Sequence, residues 1–171
     1  NFFIQIYPLP INDARFFDMH VHLEYNSFFP LFLMNGVTAI REVGSTIKDI
    51  FQLRDQVNSG KVTGPRMFIA GPILEGDPPF WKGFQVVRNK KEGRVAVRKL
   101  KHQGVNFIKV YDSLNSEAHG AILKEARSQG LKVTGHLPKS ISIIKAIAII
   151  EIITNKRYIA VWAIRGKTSD S

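Results

Sequence analysis

A glycine followed at once by a β-rich run occurs three times in this chain: "MNGVTAIREVG" at 34 to 44, "HQGVNFIKVYD" at 102 to 112 and "SQGLKVTGHLP" at 128 to 138. Glycine enters the left-handed region without a Cβ penalty, so each can end a helix, and the apolar run after it reads as a buried strand. A chain built this way is held to a helix-then-strand register. The helix is explicit in "NSEAHGAILKEARSQG", with Asn115 or Ser116 as N-cap, Ala118, Ala121, Ile122 and Ala126 on one stripe, and Gly130 as the stop. Strands are predicted near 16 to 23, 37 to 43, 66 to 71, 106 to 111 and 132 to 136. Helical patterns precede the second, fourth and fifth of these and follow the last. Strands alternating with helices favour a parallel sheet, open or closed, and in both forms ligands sit beyond the carboxyl ends of the strands.

The 171 residues, 44% of them hydrophobic, suffice for one core, and a single domain over 1–171 is expected. With no cysteine, any metal must be held by histidine, carboxylate or a modified side chain. The apolar region 140 to 164 is interrupted by Lys145, Glu151, Lys156 and Arg157 before ~18 clean residues accumulate, so it reads as soluble, with no membrane span. The chain opens on Asn1 with no recognisable targeting signal, which leaves the compartment open and suggests a fragment.

The net charge of +10 is concentrated between Lys82 and Lys109, where nine basic residues face the single acid Glu92. Nucleic acid or an anionic substrate is one reading of that run. A helix with Ala96, Val97 and Leu100 inside and the cations on a solvated outer face is the better one, because no aromatic residues interleave as a base-stacking platform requires.

The chemistry begins at "FFDMHVHLEYN", residues 16 to 26. On a regular strand Asp18, His20 and His22 share one face and Phe17, Met19, Val21 and Leu23 the other. The polar face is either a metal-binding edge or a chance alternation, since a lone His-x-His needs context. Lys109 lies in the apolar strand "FIKVY", where a lysine is expensive unless neutralised, paired, or near enough to the strand end to reach water. His136 ends a strand between Gly135 and Leu137-Pro138. His20, His22, Arg41, Glu42, Lys109, Tyr111 and His136 all fall at carboxyl ends of predicted strands.

The phrases "FFDMHVHL", "GVTAIREVGS", "GPRMFIAGPIL" and "GVNFIKVYDSLNSEAHGAILKEARSQGLKVTGHLPKS", in that order and together covering about 16 to 142, resemble the metal-dependent amidohydrolase superfamily, in particular its prolidase and imidazolonepropionase branch. The resemblance implies an α/β fold, a (β/α)8 TIM barrel, with one or two divalent metals, usually zinc. On that pattern His20 and His22 match the first-strand ligands, Lys109 the lysine that is carboxylated to bridge two metals, and His136 the fifth-strand ligand. A substrate-orienting role for Tyr111 is a further expectation. The implied reaction is hydrolysis of an amide-type C–N bond of a small, dipeptide-like or cyclic substrate, with metal-activated water as nucleophile and a carboxylate carrying the proton.

The sequence departs from the pattern after 142. No histidine follows His136, "IIEIITN" has Ile152 after Glu151, and Asp170 lies in a polar tail. Eight repeats take roughly 250 residues, and this chain has room for five or six. The expectation is therefore an incomplete barrel with a divergent segment over 143–171, impaired in turnover, whose open sheet edges favour homo-oligomers. The alternative is a catalytically inactive binding or regulatory module that retains the fold.

Overall fold

The computed structural model describes residues 16–45 and 47–142, so the elements expected beyond 142 lie outside the described residues. Strand β1 (Phe16–Val21) leads through a 3-10 turn (Asn26–Phe28) and helix α1 (Phe29–Met34) into β2 (Val37–Glu42). Then come α2 (Ile50–Asn58), β3 (Arg66–Ile69) and the two-residue strands β4 (Leu74–Glu75) and β5 (Gln85–Val86). The remainder is α3 (Lys90–His102), β6 (Phe107–Val110), α4 (Ser116–Ser128) and β7 (Lys132–Gly135). Every strand pair is parallel, in the orders β1-β2-β3 and β5-β4-β6-β7. Asn106 joins the two sheets: its backbone N–H donates to the Ile69 carbonyl at 2.9 Å, and its side-chain oxygen accepts from the Ile69 N–H at 2.9 Å.

All five expected strands are present in a mixed α/β fold. Helix α2 and strands β4 and β5 are additions. The sequence around α2 hides its end because Gly60 is followed by five residues of loop rather than by a strand. Gly36, Gly104 and Gly130, the stops of the three repeated phrases, have φ of 76°, 77° and 67°. At the end of α4 the Gly130 N–H donates to the Arg127 carbonyl and the Leu131 N–H to the Ala126 carbonyl, so the last turn keeps its acceptors occupied and Leu131 is folded back onto the core. Asn115 is the N-cap of α4, its side-chain oxygen accepting from the Ala118 N–H at 2.8 Å.

The helices cover one side of the sheets. Val21, Phe29, Ile40, Leu53, Val57, Met67 and Ile69 form a core under α1 and α2, and Val97, Leu100, Ile108, Val110, Ile122 and Ala126 form another under α3 and α4. Burial of each large aliphatic side chain contributes about 1.5–3 kcal/mol. In α3, Ala96, Val97 and Leu100 are buried while Arg94, Arg98 and Lys99 are exposed, so much of the basic run is a solvated helix face. Among the described residues no helix is long and apolar enough to cross a membrane.

Helix α4 also buries His119, whose Nδ1 has no hydrogen-bond partner. Burial pushes its pKa down from 6.5 to about 4. Between those values the unfolded chain binds a proton that the folded chain refuses, so this residue costs stability as pH falls from 6.5 to 4. His119→Leu is expected to remove that loss, on the order of 3 kcal/mol across the window, in urea denaturation at pH 7 and pH 4. Parallel pH profiles for the two proteins would show that His119 is not the acid-sensitive group.

Candidate metal centre

Strand β1 does not alternate evenly. Asp18 pairs with Ile40 and Val21 with Glu42, three residues against two, so an extra residue interrupts the ladder. The expected common face of Asp18, His20 and His22 is therefore broken. Asp18 is buried, level with a residue of the helix-side core, and its Oδ1 accepts from the His20 backbone N–H at 3.0 Å. Beyond the bulge Val21 and Leu23 enter the core and His20 and His22 emerge at the strand tip, their ring centroids 5.2 Å apart.

Lys109 is buried, with 3% of its surface exposed. All four residues of β6 are buried: Ile108 and Val110 pack under the helices, and Phe107 packs with Val43 and Ala70 in a separate cluster. Alternation puts Lys109 on the same side as Phe107. Arg41 reaches the same region, its guanidinium carbon 4.5 Å from the centre of the Phe107 ring. Burial, and then Arg41, lower the lysine's pKa from 10.5 to about 8, against a smaller opposing pull from Asp112 and Glu42. A snorkelling lysine is thereby ruled out.

His20 stands exposed at the end of β1 beside His22. Its ring has an open side, yet burial first, and then the electrostatic influence of Lys109, His22, Arg41 and His136, lower its pKa from 6.5 to about 4. The imidazole is neutral at physiological pH, the form that binds metals. These influences bring residues of β1, β2, β6 and the loop after β7 into one electrostatic neighbourhood.

The other two imidazoles have one nitrogen occupied. His22 Nδ1 is 2.8 Å from the Gly44 carbonyl oxygen, and His136 Nδ1 is 2.8 Å from Asp112 Oδ1. A carbonyl accepts only, as does an ionised carboxylate, so in each ring Nδ1 carries the donated proton and Nε2 of the neutral ring keeps a lone pair. Gly135, φ 144°, prepares the His136 turn: any Cβ there would overlap the Val110 carbonyl. The His136 N–H in turn donates to that carbonyl at 3.2 Å. Tyr111 is half-buried and lies against His136, ring centroids 4.2 Å apart and inclined by 31°.

These donors suit a divalent cation in type: imidazoles held through Nδ1, which leaves Nε2 for a ligand bond, and an amine that loses its proton easily. They do not yet enclose one. Among the described residues no three His, Asp or Glu side chains stand close enough together to hold a metal ion. Sequence reading passed over Asp112 and Gly44, which orient His136 and His22. Asp112 was detectable as an acid directly after a strand, whereas a backbone carbonyl leaves no signal in side-chain pattern. Glu75 was also missed; fully buried, its Oε1 accepts from the N–H groups of Gly76 and Ser113 at 2.9 and 2.7 Å.

No protein-family model and no curated protein sequence matches the chain. Solved structures do. A Xaa-Pro dipeptidase with bound methionine in its active site is 25% identical, with a TM-score of 0.59 over 70% of this chain and 42% of its own. Bottromycin amidohydrolase is 23% identical, with a TM-score of 0.70 over 80% of this chain and 31% of that one. The ochratoxinase of A. niger is 20% identical, with a TM-score of 0.60 over 78% and 44%. The resemblance to amidohydrolases read from the sequence phrases is thus matched by resemblance in fold, and the chain spans about two fifths of the length of such structures.

Lys109 provides the direct check on this geometry. From about pH 8 to 10.5 the folded chain has released a proton that the unfolded chain retains, so stability climbs with pH across that window and is lost as pH falls back through it. Lys109→Met is expected to abolish the climb and, at pH 7, to be neutral or stabilising by about 1 kcal/mol. Denaturant midpoints at pH 7, 8 and 10 measure both effects. An unchanged slope in the variant would place the amine in water.

Proposed function

We propose that this chain is part of a metal-dependent hydrolase of C–N bonds in small amide, cyclic amide or dipeptide-like substrates, built on an incomplete (β/α)8 barrel. The observation that carries the reading is geometric: His20 and His22 stand with ring centroids 5.2 Å apart at the tip of β1, and Lys109 is buried on β6, whose partner strand β7 leads directly into His136. The solved structures of similar fold support the hydrolase class, since those above are by name a dipeptidase, an amidohydrolase and an ochratoxinase.

Each residue has a definite task on this reading. His20, His22 and His136 offer imidazole nitrogens, the last two held in orientation by Gly44 and Asp112. Lys109, neutral at modest alkalinity, takes up carbon dioxide at its amine and releases a proton, exchanging a cation for an anionic carbamate oxygen. A bound divalent cation, zinc in this proposal, supplies Lewis-acid activation of water and of the amide carbonyl. Tyr111 lies beside His136, where a substrate can be steadied against its ring. No proton shuttle is assigned within the chain, and turnover by these 171 residues alone is expected to be impaired. The outer strands β1 and β7 each pair on one side only among the described residues, which favours homo-oligomers.

A binding or regulatory module is the rival reading, favoured by the cations: Arg41 and Lys109 both stand near His20. One set of measurements separates the two. Elemental analysis of protein prepared with zinc and bicarbonate is expected to find bound zinc, and His20→Ala with His22→Ala to weaken zinc binding by about 100-fold or more in calorimetry. Lys109→Ala is expected to remove the bicarbonate dependence. Folded protein that takes up no zinc at any bicarbonate concentration, and hydrolyses no dipeptide, would leave the module reading in place.

A further inference from the structure

The loop between β4 and β5 carries aromatic rings to the same strand ends as His136. Phe80 and Trp81 are 65% and 57% exposed, and they stack with ring centroids 6.0 Å apart at 23°. Phe80 lies 5.9 Å from the Tyr111 ring, Phe84 lies 5.4 Å from it, and Tyr111 rests on His136. The result is a row of rings that starts in solvent and ends at a candidate metal ligand.

Two features distinguish this row from stray surface hydrophobics. Its loop is fastened at both ends: Glu75 Oε1 binds the Gly76 N–H and the Ser113 N–H, Arg88 Nε donates to Asp77 Oδ2 at 2.8 Å, and the Phe84 N–H donates to the Trp81 carbonyl at 3.1 Å. Its outer rings also stay wet despite their apolar area, while the inner ones, Phe84 and Tyr111, are half-buried. Exposed apolar area held in place beside a polar site fits a ligand that is apolar at one end and polar at the other.

We propose that Phe80, Trp81, Phe84 and Tyr111 form a side-chain subsite that selects amides bearing an aromatic group, the substrate ring stacking on Phe80 and Trp81 while the amide lies toward His136. This deepens the hydrolase reading and rests on it for the position of the amide. Aromatic rings favour offset or tilted neighbours, which an incoming planar ring satisfies better than a methyl group does.

The test uses the full chain, metal-free, with Trp162→Phe so that Trp81 is the remaining one of the two tryptophans. N-acetyl-L-phenylalaninamide is expected to change Trp81 fluorescence saturably, with a dissociation constant at least about 10-fold below that of N-acetyl-L-alaninamide. Phe80→Ala, at an exposed position, is expected to erase most of that preference with an unchanged circular dichroism spectrum. Equal affinities for the two amides, or an undiminished preference in Phe80→Ala, would overturn the subsite. So would a Trp81 signal that depends on protein concentration and ignores the amide, because a second copy would then cover the rings. Preferential binding of the aromatic amide without zinc uptake or hydrolysis would sink the hydrolase reading and leave the subsite. Zinc-dependent hydrolysis with no aromatic preference would do the reverse.

Discussion

The burial of strand β6 on both faces governs the rest of this structure. Ile108 and Val110 are required under α3 and α4, where they meet Val97, Leu100 and Ile122. A slip of one residue would drive the Lys109 amine into that apolar core and turn Ile108 away from it, a change no neighbouring group could offset. The strand therefore has one acceptable register, aligned along its length with Lys132–Gly135 of β7. In that register the lysine is committed to the side away from the helices, out of water and close to Arg41 and His20.

That placement decides the electrostatics of the strand ends. Lys109 and Arg41 bring positive charge, and the buried acid Glu42 does little to balance it. Burial holds the Glu42 carboxyl up near a pKa of about 8, its Oε1 is taken by the Gly44 N–H at 2.7 Å, and its Oε2 has no partner. The cluster is short of negative charge, and neutralising the lysine answers this from within. The same desolvation that makes the ammonium costly keeps the His20 ring neutral. A single cause thus favours the uncharged form of both an amine and an imidazole.

The parts of this arrangement that were legible in sequence are those set by local chemistry. Gly36, Gly104 and Gly130 announced helix ends because positive φ favours their residue type, and the five main strands followed from the apolar runs. Lys109 and His136 were visible as polar residues at strand ends. The bulge that removes Asp18 from the histidine face was not, because it reflects how β1 pairs with β2 rather than any preference of "FDMHV". Strands β4 and β5 were equally hidden. Two residues each give no periodicity, and their pairing is closed by long-range bonds such as the Val87 N–H to the Glu75 carbonyl at 2.7 Å. The backbone anchors of the site share that character: Gly44 and Ser113 act through main-chain atoms, which every residue possesses.

Glu75 shows how these unreadable contacts organise the site. Its side chain has no exposure and spends one oxygen on two backbone donors, binding the start of the aromatic loop to the loop after β6. The loop after β7 is fixed to the same support, by the Lys139 N–H on the Asp112 carbonyl at 2.9 Å and the Ser140 hydroxyl on the Leu114 carbonyl at 2.7 Å. Three loops thereby meet around Tyr111, Asp112 and His136, and the ring of His136 is gripped between a carboxylate at its edge and a phenol at its face. The strand ends then divide into a cationic side, with Arg41 on β2 and Lys109 on β6, and an aromatic side on the β4–β5 loop that reaches His136 through Tyr111. In the proposed subsite, a ligand carrying both a polar amide and an apolar ring would engage both sides, because each side alone offers partners for only half of it.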